Sequence, residues 1–96
     1  MHVPELKDKV VYVTGSARGI GQAIAERFAT EGSSVVLADL DNDGIKSVAE
    51  KIITDGGSAV PIATEVAIEE QDDALYDTAI NAYGTVDVLV NNAGLI

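Results

Sequence analysis

The chain has 96 residues, with sixteen acids, six bases and one histidine, for a formal net charge of -10 at pH 7. Its 47% apolar content is too high for a disordered acidic tail and fits one small folded domain with a thin core. The acidic balance argues against nucleic acid or anionic membrane as partner, and the absence of cysteine excludes a disulfide framework and a Cys-type zinc site. No apolar run approaches membrane-spanning length, and Met1-His2-Val3-Pro4-Glu5 lacks the basic and apolar regions of a signal peptide, so a soluble cytoplasmic protein is expected. The charge is uneven: residues 1–51 hold all six bases with eight acids, and residues 52–96 hold eight acids and no base.

Val10-Val11-Tyr12-Val13 is apolar without alternation and is closed by Gly15, the pattern of a strand buried on both faces. A helix follows, with Ile20, Ala23, Ile24 and Phe28 as its expected apolar line and Gly32 just past its end. Val35-Val36-Leu37-Ala38 is a second strand of the same kind. Ile45, Val48, Ala49 and Ile52 mark a second helix, closed by Gly56-Gly57. Ser58 to Val66 is a weaker strand, and Pro61, which has no N–H to give a ladder, places it at a sheet edge. Glu69, Glu70, Asp72 and Asp73 crowd the first turn of a third helix whose apolar face is Leu75, Ala79 and Ala82. Val86 to Val90 is a fourth strand, followed by Asn91-Asn92-Ala93-Gly94.

Strands alternating with crossover helices predict an α/β fold built on a parallel sheet with right-handed connections. If the chain steps outward through strands one, two and three and then returns to the far side of strand one, the order is 3-2-1-4, with helices on both faces in three layers. The direction reverses between strands one and four. Open α/β sheets bind ligands beyond the carboxyl ends of the strands at such a point, and there the loops Thr14 to Gly21 and Asn91 to Gly94 meet.

Thr14-Gly15-Ser16-Ala17-Arg18-Gly19-Ile20-Gly21 is a glycine-rich turn between a strand and a helix. Gly15 allows a sharp turn, Gly19 lets backbone approach a pyrophosphate, and Gly21 lets helix lie close to strand, with the free N–H groups of the helix start facing the phosphates. Its spacing is G-x-x-x-G-x-G, and taken alone it is also compatible with a plain tight turn. Asp39 lies 18 residues beyond Gly21 at the end of the second strand, where a carboxylate can accept both hydroxyl hydrogen bonds of an adenosine ribose. A ribose 2′-phosphate at that carboxylate would meet like charge, which favours NAD over NADP. Arg18 pulls the other way, while Asp41 and Asp43 add to the negative field. An ordinary turn acid is the alternative reading of Asp39.

Asp39, Asp41, Asp43, Gly44 and Glu50 also satisfy a calcium-loop pattern, but an EF-hand needs an entering helix and Val35 to Ala38 is strand-like. No metal is expected. Tyr76 and Tyr83 are expected to pack rather than catalyse, and the only histidine is His2, so no Ser/His/Asp arrangement is available.

Thr14-Gly15-x-x-x-Gly19-x-Gly21, Asp39 and Asn91-Asn92-Ala93-Gly94 resemble, in order and position, the glycine motif, NAD-selecting acid and post-fourth-strand motif of the short-chain dehydrogenase/reductase family. The resemblance implies a Rossmann-type sheet, hydride transfer between NAD and an alcohol/carbonyl pair, and homo-oligomers. Carried over position by position, it implies a cofactor site of Gly15, Ser16, Arg18, Gly19, Ile20, Gly21, Asp39, Leu40, Glu65, Val66, Asn92, Ala93 and Gly94. Glu65-Val66 departs from the family's usual Asp-Val pair at the end of strand three. The family's catalytic Ser, Tyr-x-x-x-Lys pair and helix Asn lie beyond the Asn-Asn-Ala-Gly motif, and none of Tyr12, Tyr76 and Tyr83 has Lys at the fourth following position.

Residues 1–96 are therefore expected to be a single dinucleotide-binding domain, half of such a sheet, catalytically incomplete by itself and prone to self-association at the outer edge of strand four. A stand-alone, non-catalytic dinucleotide-binding or regulatory module is the alternative.

Overall fold

The computed structural model describes residues 6–63, 83, 84 and 86–90. Six elements follow in order: β1 (Val10–Thr14), α1 (Gly19–Thr30), β2 (Ser34–Asp39), α2 (Asn42–Thr54), β3 (Ser58–Ala63) and β4 (Val88–Val90). The four strands form one parallel sheet in the order β3-β2-β1-β4, as the alternation of strands and crossovers predicts. Two helices are described where three were expected. The expected third, with Glu69 to Ala82, lies outside the described residues, as do Glu65, Val66 and Asn91 to Gly94.

All five residues of β1 are buried, because the strand has β2 on one edge, β4 on the other and side chains packed over both faces. Val11 and Val13 stand with Val35 and Leu37 on one face, beneath Ala25 of α1 and Ile45, Val48, Ala49 and Ile52 of α2. Val10 and Tyr12 stand with Val36 and Ala38 on the other face, where Ile62, Tyr83 and Val86 pack against them. Tyr83 is thus a packing residue, and its hydroxyl lies 2.9 Å from Ser58 Oγ.

The apolar line expected along α1 is displaced. Ile20 is 71% exposed and Ala23 is exposed, whereas Gly21 and Ala25 are the buried positions and Ile24 and Phe28 pack at their flank. The cause is the close approach of helix to sheet: small residues at i and i+4 admit the contact, and bulkier ones fall to the sides. On α2 the four expected residues are the ones buried.

Both helices stop at glycine. Gly32 (φ 94°) donates to the Ala29 carbonyl and Ser33 to that of Phe28, while Gly56 (φ 93°) donates to Ile53 and Gly57 to Ile52, the paired bonds of a Schellman ending. Pro61 sits opposite Leu37 on β3, which among the described residues pairs with β2 alone, as its missing N–H suits. Strand β4 begins two residues later than expected. Asp87 is drawn out of the ladder pattern by its own side chain, whose Oδ2 accepts the Val10 N–H at 2.8 Å while its backbone N–H donates to the Val10 carbonyl at 2.9 Å. Among the described residues, no helix is long and apolar enough to cross a membrane.

Candidate cofactor-binding site

Parallel pairing brings the carboxyl ends of β1, β2 and β4 to one edge of the sheet. At that edge Thr14 Oγ1 donates to the Val90 carbonyl at 3.3 Å, tying the strand that precedes the glycine turn to the strand that precedes Asn91. Sequence alone does not indicate this link beyond a hydroxyl residue, Thr14, ending an otherwise apolar run.

The chain leaves β1 through Gly15 at φ 63°, a left-handed conformation that suits glycine. Ser16 is fully buried and turned inward, its N–H and Oγ both 3.4 to 3.5 Å from the Ala38 carbonyl. Arg18, extended at φ -160°, occupies the cap position of α1, and among the described residues no side chain caps that end. Gly19 follows at φ 61°, and a Cβ placed there would meet nothing within 4 Å. The start of α1 therefore presents uncapped N–H groups beside open space, the arrangement that receives a phosphate. Gly21 lies one turn deeper, buried against the sheet.

Asp39 closes the other side. Its Oδ2 accepts the Ala17 N–H at 3.1 Å, and its Oδ1 accepts the Asp41 N–H at 3.0 Å. One carboxylate thus fastens the glycine turn to the loop after β2. Two oxygens with about four lone-pair sites retain room for two further donors such as vicinal hydroxyls. Leu40 is 67% exposed and Ile20 is exposed as well, so two large apolar side chains stand uncovered at the same edge of the sheet. Exposed aliphatic groups beside uncapped N–H donors and a carboxylate match a ligand with a flat apolar ring, a diol and a phosphate bridge.

Asp41 departs from its expected role. Its Oδ1 accepts the Gly44 N–H at 2.9 Å, capping α2, and its Oδ2 lies 2.8 Å from Arg18 Nη2. The Gly44 bond, and then the Arg18 guanidinium, hold this carboxyl below the ordinary aspartate range. An Asp just ahead of the helical run is a readable cap signal. Gly44 permits the arrangement, since a Cβ there would lie 2.5 Å from Asp41 Oδ2 and 3.0 Å from Ala17 Cβ. The calcium-loop pattern is thus spread over a strand end, a cap and a helix. Among the described residues, no group of three or more His, Cys, Asp or Glu is placed to hold a metal.

The profile of the short chain dehydrogenase family matches residues 9–96. The chain belongs to this family. It is 46% identical over 91 residues to glucose 1-dehydrogenase 2 of Bacillus subtilis, a match covering 94% of this chain and 35% of that protein. A 7α-hydroxysteroid dehydrogenase solved with NADH and 7-oxo glycochenodeoxycholic acid superposes with a TM-score of 0.86 at 41% identity, over 90% of this chain and 34% of the other. A short chain dehydrogenase/reductase of Burkholderia phymatum in complex with NAD gives a TM-score of 0.84 at 34% identity, over 88% and 30%. The chain spans about a third of the length of these proteins. Such coverage agrees with the portion of the family fold read from the motifs.

Proposed function

We propose that these 96 residues form a single NAD(H)-binding domain of a cytoplasmic oxidoreductase that moves hydride between the nicotinamide and an alcohol/carbonyl pair. The observation that carries this reading is the Asp39 carboxylate, held at the end of β2 by the Ala17 and Asp41 N–H groups, directly beside the uncapped start of α1. In this reading Gly15, Ser16, Gly19 and Gly21 shape the turn that receives the pyrophosphate, and Arg18 and Ile20 border it. Asp39 accepts the ribose hydroxyls and Leu40 lies against the adenine. Glu65, Val66, Asn92, Ala93 and Gly94 complete the cofactor contacts. Bound nicotinamide would accept hydride from the alcohol or give it to the carbonyl, and the residues of the cofactor site would bind and orient it.

NAD is preferred to NADP, because a 2′-phosphate would be pressed against Asp39, and like-charge contacts of that kind cost several kcal/mol. The isolated chain turns nothing over, since none of its three tyrosines carries a lysine four positions on to serve as the acid/base pair. It also self-associates through β4, whose Leu89 is 65% exposed and which has β1 as its neighbour in the sheet.

The test is titration of the chain with NADH, followed by nucleotide fluorescence and calorimetry, with NADPH in parallel and a ketone panel added. Saturable NADH binding, weaker NADPH binding and no oxidation above buffer are expected. Absence of NADH binding by the folded chain refutes the cofactor assignment, and turnover refutes the claim of catalytic incompleteness.

A further inference from the structure

Arg18 and Asp39 make opposite demands on the adenosine ribose, because a guanidinium beside the glycine turn attracts a 2′-phosphate and the carboxylate repels it. Asp41 bears on which demand prevails. Its Oδ1 is fixed by the Gly44 N–H, and its Oδ2 takes the Arg18 guanidinium at 2.8 Å. Gly44, where any Cβ would collide with that carboxylate, keeps the space the arrangement needs. Asp39 in turn accepts the Asp41 backbone N–H, so both acids and the arginine are joined through one short loop.

We propose that Asp41 is a positioning residue for cofactor choice: by engaging Arg18 it withholds the one guanidinium at the glycine turn from a 2′-phosphate and so widens the preference for NAD over NADP. The inference rests on the cofactor site proposed above. Arg18 and Asp41 have 79% and 37% of their side chains exposed, so the ion pair is modest and the effect on the ratio of dissociation constants is about two- to fivefold.

The test compares Asp41→Asn, Arg18→Ala and the double variant with the wild-type chain, each titrated calorimetrically with NADH and NADPH. Asparagine caps a helix as well as aspartate, so Asp41→Asn keeps the Gly44 bond and removes the charge; far-UV circular dichroism confirms the fold. The expected result is a two- to fivefold shift toward NADPH in Asp41→Asn that disappears when Arg18 is already alanine. An unchanged ratio in Asp41→Asn overturns the inference, as does a shift of equal size in the Arg18→Ala background, which would mark direct repulsion rather than action through Arg18. If the folded wild-type chain binds neither nucleotide, the cofactor site itself is wrong and the inference falls with it.

Discussion

Replacing Asp39 with alanine is expected to destabilise the chain even when no nucleotide is present, because the carboxylate holds two loops together in the free protein. It accepts two part-buried backbone N–H groups, from Ala17 at 3.1 Å and Asp41 at 3.0 Å. Each such bond contributes about 0.5 to 1.5 kcal/mol net, and both N–H groups can partly regain water, so the loss is about 2 kcal/mol. For a domain of this size that is a fall in Tm of roughly 8 to 16 °C. Asp39→Asn has one oxygen able to accept, while its NH2 would oppose the second donor, so it should lose about half as much. Both variants remove the same negative charge from an acidic chain, which makes the difference between them independent of global repulsion.

The same variants report on the cofactor. NAD at 100 times its dissociation constant adds about 2.7 kcal/mol to the wild type. If Asp39→Ala weakens binding tenfold to a hundredfold, the same concentration adds only about 1.4 to 0.4 kcal/mol. The assay is thermal denaturation by far-UV circular dichroism at raised salt, with and without NAD. A nucleotide-free melt of Asp39→Ala equal to wild type, or one higher than that of Asp39→Asn, refutes the reasoning about the two loops.

Three further outcomes are expected. Leu37 is fully buried on the central strand β2, so Leu37→Ala should cost about 3 to 5 kcal/mol in chemical denaturation and Leu37→Met less than about 1.5 kcal/mol; equal losses would show that the site is not closely packed. Gly44→Ala would gain about 1 kcal/mol from helix propensity alone, yet the new Cβ collides with Asp41 and Ala17, so its Tm should fall; a rise would mean that the α2 cap relaxes freely. Glu26 is held below the ordinary glutamate range chiefly by the Gln22 side-chain amide at 2.8 Å, which outweighs the opposing effect of burial, with Lys51 at 3.0 Å adding to the lowering. Because the folded value is the depressed one, this stabilisation is complete above the ordinary carboxylate range and is lost as pH falls through the folded value. Wild type should therefore melt above Glu26→Gln at pH 7, and the gap should close as pH falls through the depressed folded value; a gap that persists in acid would contradict this account.

Much of the architecture was legible because local signals agreed with the global arrangement. Unbroken apolar runs at Val10–Val13 and Val35–Ala38 imply strands covered on both faces, and both are. Gly32 and Gly56-Gly57 end their helices for the steric reason that makes them readable in sequence. What was not legible depended on distance between elements. The buried face of α1 is not legible in sequence because Ile20 and Ala23 fit helical spacing as well as Gly21 and Ala25 do; only the closeness of helix to sheet decides that the small residues go inward. In sequence Asp41 is one more negative charge, since nothing local says that Arg18, 23 residues earlier, lies against it. Asp39 was found from its spacing to the glycines, but its two backbone bonds follow from loop geometry that spacing does not encode.

The stitching of β1 to β4 has a kinetic consequence. β1 meets β2 over a short span, with Thr14 opposite Ala38, whereas Thr14 Oγ1 reaches Val90 and the Val10 N–H reaches Asp87 across separations of 76 and 77 residues. Closing a loop of 76 residues rather than 24 costs about 1 kcal/mol more in chain entropy, and that cost falls before the contacts that reward it exist. The β1-α1-β2-α2-β3 segment can therefore assemble first, with β4 docking onto an already formed sheet. The Thr14–Val90 tie at the ends of β1 and β4 is then among the last features to appear during folding, and a chain whose Asp87 has not yet left the ribosome would already contain the glycine turn and Asp39 but not the strand that pairs beside them.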